Sequence, residues 1–511
     1  MRNYKIKYKE NRKTKEFEDV NFFLLKKVSD RFKYDQGSID DMTWSDLEMN
    51  KVFAKLNNTY TLAGEEVLYY WLKTPTLNEK DYDKRKVKLN KIKSNKESFL
   101  TGLEKVGSFD SDYRAVIKKI ESKQTIDKKP VFFIGSLMLM IFLFWQTQSS
   151  LFLFGACISI LTIILYHYFH IARNKSALSS FDYIVRMTVF FKKNITLIKD
   201  IYSEEYDLNA IEEVANKLVE FKNKFNRLEG IDPIKDIAVA LTLSTYWNYI
   251  RLINLLYSCK NEVVIIADII GEIDCAQAIA EYLNGKNQTS EPELSNDVHS
   301  LSIEKSYNIL INNCVTNNVE INNSIVITGS NMGGKSSYLR QVGINIILAQ
   351  ALCFSTSLKH EGGFFTVLSS ISLNDDIEIG KSYFMKEAEA IQRMLEVQQE
   401  KYNTLLLIDE IFKGTNPLER LAASIEILNI LSIRHNVIVT THDIGILSYL
   451  NKFEYYHFEH NISKTIMEFD YKLKKGVTEV RNAIKLMEYI EYPKEVIEAI
   501  NNRIVKMNSI A

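Results

Sequence analysis

Gly329-Ser330-Asn331-Met332-Gly333-Gly334-Lys335-Ser336 follows the mostly apolar run Ser324–Thr328 and opens the helical pattern Ser337–Ala351. A GxxxxGKS spacing between a strand and a helix is a phosphate-binding loop in the context that the motif requires. Its glycines let successive backbone N–H groups close around phosphate oxygens, and the helix N-terminus adds positive potential. The expected nucleotide-binding residues are therefore Gly329, Ser330, Asn331, Met332, Gly333, Gly334, Lys335, Ser336 and Ser337. Lys335 is expected to reach the β- and γ-phosphates, and Ser336 to supply a hydroxyl to Mg²⁺.

Downstream, the apolar run Leu405–Ile408 ends in Asp409-Glu410. Asp409 suits Mg²⁺ at the end of a neighbouring strand, and Glu410 suits orientation or activation of the attacking water. A third run, Val437-Ile438-Val439-Thr440-Thr441, ends in His442, expected to sense the γ-phosphate. Short apolar runs alternating with helical segments from about residue 300 predict an α/β domain on a mainly parallel sheet. ATP and Mg²⁺ are the expected ligands, and ATP hydrolysis the expected reaction.

The rest of the 511 residues reads differently. Residues 17–128 and Ser180–Leu283 are helix-rich, with breaks expected at Asn57-Asn58, at Gly64 and at Gly230-Ile231-Asp232-Pro233. Between them, Pro130 to Ala172 contains no Asp, Glu, Lys or Arg. Two apolar runs there, Val131–Trp145 and Leu151–Phe169, would extend roughly 23 and 28 Å as helices, near the thickness of a bilayer core. Lys128, Lys129, Arg173 and Lys175 flank the pair, so both termini are expected in the cytoplasm, with two spans across the cytoplasmic membrane. The domains expected are a helical region at 1–129, a transmembrane hairpin at 130–172, a second helical region at 173–295 and the ATPase domain at 296–511.

Lys+Arg and Asp+Glu both number 64, so no global basic field points to nucleic acid. Five cysteines without CxxC spacing indicate neither a disulfide framework nor a zinc site. The basic opening (Lys5, Lys7, Lys9, Arg12, Lys13, Lys15) leads into no apolar core and is not a signal peptide.

Taken together, the motifs resemble the ATPase domain of the MutS family, an ABC-type P-loop fold. Thr328–Ser337 is similar to that family's TGPNMxGKST, Asp409–Arg420 to its DE-x-x-x-GT segment, and Thr440-Thr441-His442-Asp443 to its TTH switch. Asn374–Phe384 resembles the signature loop, whose serine, here Ser382, would reach the γ-phosphate held by the other subunit. Weaker similarity, from Ile39-Asp40-Asp41-Met42-Thr43 to Arg85 and over Ile273–Ala280, matches the family's helical lever core. The resemblance implies a dimeric ATPase with a DNA partner. The family's N-terminal mismatch-reading domain and its Phe-x-Glu wedge have no counterpart in the sequence, so mismatch recognition is not expected to carry over. The expectation is thus a membrane-anchored homodimer that touches lipid through Val131–Phe169 and DNA through its core. The competing readings are a membrane scaffold and a transport-associated ABC-type ATPase, neither of which binds DNA.

Overall fold

The computed structural model describes residues 37–107, 129–226, 238–284, 286, 288–329, 333–371, 383–397, 403–412, 416–450, 452–462, 467–477 and 490–508, with Phe22, Leu25, Ile484 and Met487 besides. The helices open with α1 (Asp41–Asp46), α2 (Met49–Leu56), α3 (Leu62–Lys73), α4 (Glu79–Ser94) and α5 (Lys96–Gly107). They continue as α6 (Lys129–Thr147), α7 (Ser150–Lys193), α8 (Ile195–Tyr202), α9 (Leu208–Asn226), α10 (Ser244–Ser258) and α11 (Lys260–Leu283). Beyond these the chain is mixed. First come β1 (Glu293–Leu294), β2 (Leu301–Ser306), β3 (Asn317–Ile321), β4 (Ser324–Thr328), α12 (Lys335–Leu352), β5 (Lys359–Gly362) and β6 (Phe365–Ser370). Then follow α13 (Tyr383–Leu395), β7 (Asn403–Asp409), α14 (Pro417–Arg434), β8 (Asn436–Thr441), β9 (Phe453–Ile462), β10 (Met467–Lys475) and α15 (Lys494–Asn508).

The chain groups into two compact units, one of residues 1–58, 68–87 and 279–511, the other of 59–67 and 88–278. The first holds a six-stranded sheet in the order β10-β9-β4-β8-β7-β6 and a four-stranded sheet in the order β1-β5-β2-β3. In the larger sheet all neighbours are parallel except β10 against β9. Its central strands are apolar without alternation because both faces are covered. Val326, Leu406, Ile408, Val437 and Val439 pack with Leu428 and Leu431 of α14 in one buried cluster. Strand β4 lies between β9 and β8, and β8 between β4 and β7. The carboxyl ends of β4, β8 and β7 therefore stand side by side, the edge of an open parallel sheet where ligands bind.

Composition put one boundary near 295, with everything before it in other domains. The chain's packing instead groups residues 37–58 and 68–87 with the sheet-bearing unit. Unsatisfied carbonyls at the end of α12 are one physical reason. Thr76 Oγ1 donates to Gln350 O at 2.6 Å, and Arg85 Nη1 donates to Ala351 O at 3.0 Å. No local pattern announces partners more than 260 residues away.

The second unit is helical. Helices α6 and α7 pack against each other as a hairpin and are long and apolar enough to cross a membrane, with 6% and 17% of their apolar windows buried. The turn between them is short, Gln148 and Ser149. Helix α7 does not stop where the apolar run stops; it continues to Lys193 and packs on α5, α9 and α10. Gly102 of α5 admits the Phe190 ring, which a Cβ there would meet at 2.5 Å. Gly64, expected to break a helix, sits inside α3 instead. Its missing side chain makes room for Asp274 of α11, whose carboxylate accepts from Tyr60 N, Thr61 N and Thr61 Oγ1 at the amino end of α3. The expected break at Gly230–Pro233 lies outside the described residues.

Candidate nucleotide site

Each of the three side-by-side strand ends delivers chemistry. β4 runs into Gly329, whose φ of +127° is left-handed. A Cβ there would stand 2.8 Å from Phe458 O, so the turn out of β4 requires glycine. Gly334, with φ of +94°, closes the loop into α12. Ser330, Asn331 and Met332 lie outside the described residues, whereas Gly333, Lys335, Ser336 and Ser337 lie within them.

Lys335 is 1% exposed. A buried ammonium needs acceptors, and Nζ donates to Gly329 O and stands 2.9 Å from His442 Nε2. Ser336 Oγ donates to Asp409 Oδ2 at 2.5 Å, and Thr440 Oγ1 donates to Asp409 Oδ1. The Asp409 carboxylate is thus fixed between the first turn of α12 and the end of β8. Ladder pairing of Asp409 with Thr440 sets that geometry.

Glu410 adopts φ of +60°, a conformation costing a non-glycine residue about 1–3 kcal/mol. Its backbone N–H still reaches Thr440 O at 3.1 Å, and its Oε1 lies 2.9 Å from His442 Nε2. The turn aims the carboxylate back across the strand ends instead of letting it continue the alternation of β7. Asp443, next to His442, accepts from Arg420 Nη2 of α14 at 2.7 Å. That helix begins at Asn416, whose side chain accepts from Leu418 N, with Pro417 in the first turn.

Five residues named from sequence therefore meet in one place: Lys335, Ser336, Asp409, Glu410 and His442. Ser382 lies outside the described residues. Sequence reasoning missed Thr440 and Arg420, which orient Asp409 and the His442 loop. Both stand inside quoted motifs, but nothing in the spacing marks them as orienting groups. The donors suit a hard dication: a hydroxyl and a carboxylate oxygen side by side are Mg²⁺ ligands, with no soft sulfur among them.

Residues 325–508 match MutS domain V. The DNA mismatch repair protein MSH3 of Vanderwaltozyma polyspora is 28% identical over 289 residues, covering 53% of this chain and 28% of that protein. The MutS protein homolog 4 of Mus musculus is 34% identical over 201 residues, covering 36% of this chain and 20% of the other. The DNA mismatch repair protein MutS of Petrotoga mobilis is 24% identical over 328 residues, covering 60% of this chain and 37% of the other. The chain spans well under half the length of these relatives.

Proposed function

We infer that this chain, whose residues 325–508 match MutS domain V, is a MutS-family ATPase. The observation that carries the reading is the meeting of Lys335, Ser336, Asp409, Glu410 and His442 at adjacent carboxyl ends of a parallel sheet. In this reading Gly329–Ser337 wraps the phosphates, and Lys335 exchanges Gly329 O and His442 for phosphate oxygens. Ser336 and Asp409 hold Mg²⁺, which neutralises charge on the phosphates when bound. Glu410 orients the attacking water and takes its proton. His442 donates to the γ-phosphate from its place between Lys335 and Glu410.

The assembly proposed is a homodimer in which Ser382 of each subunit completes the other's site, with DNA as the macromolecular partner. The relatives are named for DNA mismatch repair, which supports DNA over a scaffold or transport role. Contacts to DNA are proposed to be backbone-directed, so they weaken steeply with salt. Helices α6 and α7 anchor the protein in the cytoplasmic membrane, with both termini in the cytoplasm; their mean hydropathies of 1.8 and 2.0 and small buried share support this.

The deciding experiment is Mg²⁺-dependent ATP hydrolysis by the full chain in detergent, alongside Lys335→Ala. Wild-type turnover with loss of ATP binding in the variant is the expected result. Equal ATP binding by both proteins would end this reading.

A further inference from the structure

The short stretch from Asp40 to Asp46 touches three separate parts of the sheet-bearing unit. Arg340, five residues into α12 from Lys335, donates from Nε to Asp46 O at 2.7 Å. The Asp46 side chain, 1% exposed, accepts from Ser369 Oγ at 2.8 Å and from Ile371 N at 2.9 Å. Thr43 Oγ1 accepts from Ser369 N at 3.1 Å. Arg393, on α13, donates from Nη1 to Asp40 Oδ1 and from Nη2 to Ser369 O, both at 2.5 Å. Ser369 lies near the end of β6 and Ile371 just beyond it, before residues 372–382, and α13 begins just after them.

We propose that Asp46, with the Asp40–Arg393 pair, is a positioning device that holds α12 and both flanks of residues 372–382 as one body. This rests on the ATPase reading, in which Lys335 at the head of α12 and Ser382 serve two different nucleotides. Hydrogen bonds to a charged group are stronger than those between neutral groups, and a buried carboxylate stripped of its donors is costly. The Asp46 contacts therefore do not yield one at a time. The six-residue helix α1 between them is itself capped, Asp40 Oδ1 accepting from Thr43 N at 2.8 Å. Leu47 presses α12 from the same side: a Cβ on Gly343 would meet Leu47 Cδ2 at 2.9 Å. A shift of α12 toward bound phosphate is carried through Asp46 to Ser369 and Ile371, which lie before residues 372–382, and through Ser369 to Arg393, which lies after them.

The test measures the Kd for a fluorescent ATP analogue and kcat separately, on full-length protein in detergent. Arg393→Ala and Asp46→Ala should keep Kd within threefold of wild type and lower kcat at least tenfold. Arg393→Lys, which still reaches one of the two acceptors, should recover part of the loss. Should Asp46→Ala fail to fold, Ser369→Ala carries the test: it removes one hydroxyl from Asp46, leaves the Ile371 N donor in place, and should lower kcat severalfold with Kd unchanged and only a small drop in melting temperature. Wild-type kcat in Arg393→Ala, or Kd and kcat falling together, overturns the proposal. A wild-type chain that binds no nucleotide defeats the ATPase reading itself, a different and separately visible outcome.

Discussion

His442 Nε2 and Glu410 Oε1 lie 2.9 Å apart, and the same imidazole nitrogen stands 2.9 Å from Lys335 Nζ. One ring nitrogen carries at most one proton, so it cannot accept from the ammonium and donate to the carboxylate at once. Under the proposed ATPase reading, bound phosphate draws Lys335 away from this row and frees His442 Nε2 to pair with Glu410.

Glu410→Gln keeps the shape of this row and removes its base. General-base catalysis is worth about 10²–10⁴ in rate, so hydrolysis should fall at least a hundredfold while ATP affinity stays within a few-fold. Single-turnover kinetics with equilibrium nucleotide binding checks this. Wild-type hydrolysis in the variant would remove Glu410 from the mechanism.

Gly64→Ala weighs two opposing effects. Alanine favours a helix over glycine by up to about 1 kcal/mol. The added Cβ, however, would sit 2.3 Å from Asp274 Oδ2, an atom that accepts from Thr61 N at 2.7 Å and Thr61 Oγ1 at 2.6 Å. Overpacking costs about 1–3 kcal/mol, and displacing a buried carboxylate from its donors costs about as much again. The net expectation is destabilisation of the helical unit, read as a lower thermal midpoint; a higher midpoint would show that propensity wins.

Acid should weaken the sheet-bearing unit through His360. Burial pushes this imidazole down to about 3, and its Nδ1 lies 3.0 Å from Ser355 Oγ. The unfolded chain takes up the proton near the ordinary value of about 6.5, whereas the folded chain refuses it until about 3. Stability from this group is thus complete above the unfolded value and falls as pH drops below it, by up to about 1.4 kcal/mol per pH unit. Urea midpoints at pH 7 and 5 should differ less in His360→Asn than in wild type. An equal pH dependence would exclude His360 as the cause.

Removing residues 130–172 and bridging the gap with a short linker should release a soluble protein that still hydrolyses ATP. The full chain should stay with membranes through a carbonate wash. Full-length protein that remains in solution without detergent would argue against the two spans.

The strands that build the site were legible because burial on both faces leaves mostly apolar residues between two turns. The run Ser324–Thr328 coincides with β4, and the expected run Leu405–Ile408 lies within β7. The candidate site residues were legible because Asp409, Glu410 and His442 stand at or just past the ends of such runs, and Lys335 and Ser336 open the helix that follows β4. What could not be read was action at a distance. Asp46 bonds to Ser369 across 323 positions, and its surroundings, Trp44-Ser45-Asp46-Leu47, look like any helix end. Gly64 looked like a breaker because its reason, Asp274, lies far along the chain. The end of α7 was hidden because Arg173 and Lys175 stop the apolar pattern without stopping the helix.

That uninterrupted α7 makes angular phase a property of the protein. A helix of 44 residues is about 66 Å long, and its backbone hydrogen bonds transmit torsion as a flexible tether would not. A residue inserted just after the apolar window would turn everything beyond it by about 100° and advance it about 1.5 Å along the axis. Two would turn it by about 200°, the opposite side of the axle, whereas four would nearly restore the facing at a height of about 6 Å more. With α6 and α7 spanning a bilayer as proposed, the distance of the helical unit from that bilayer would change only in whole helical turns, unless the face the unit presents changed too.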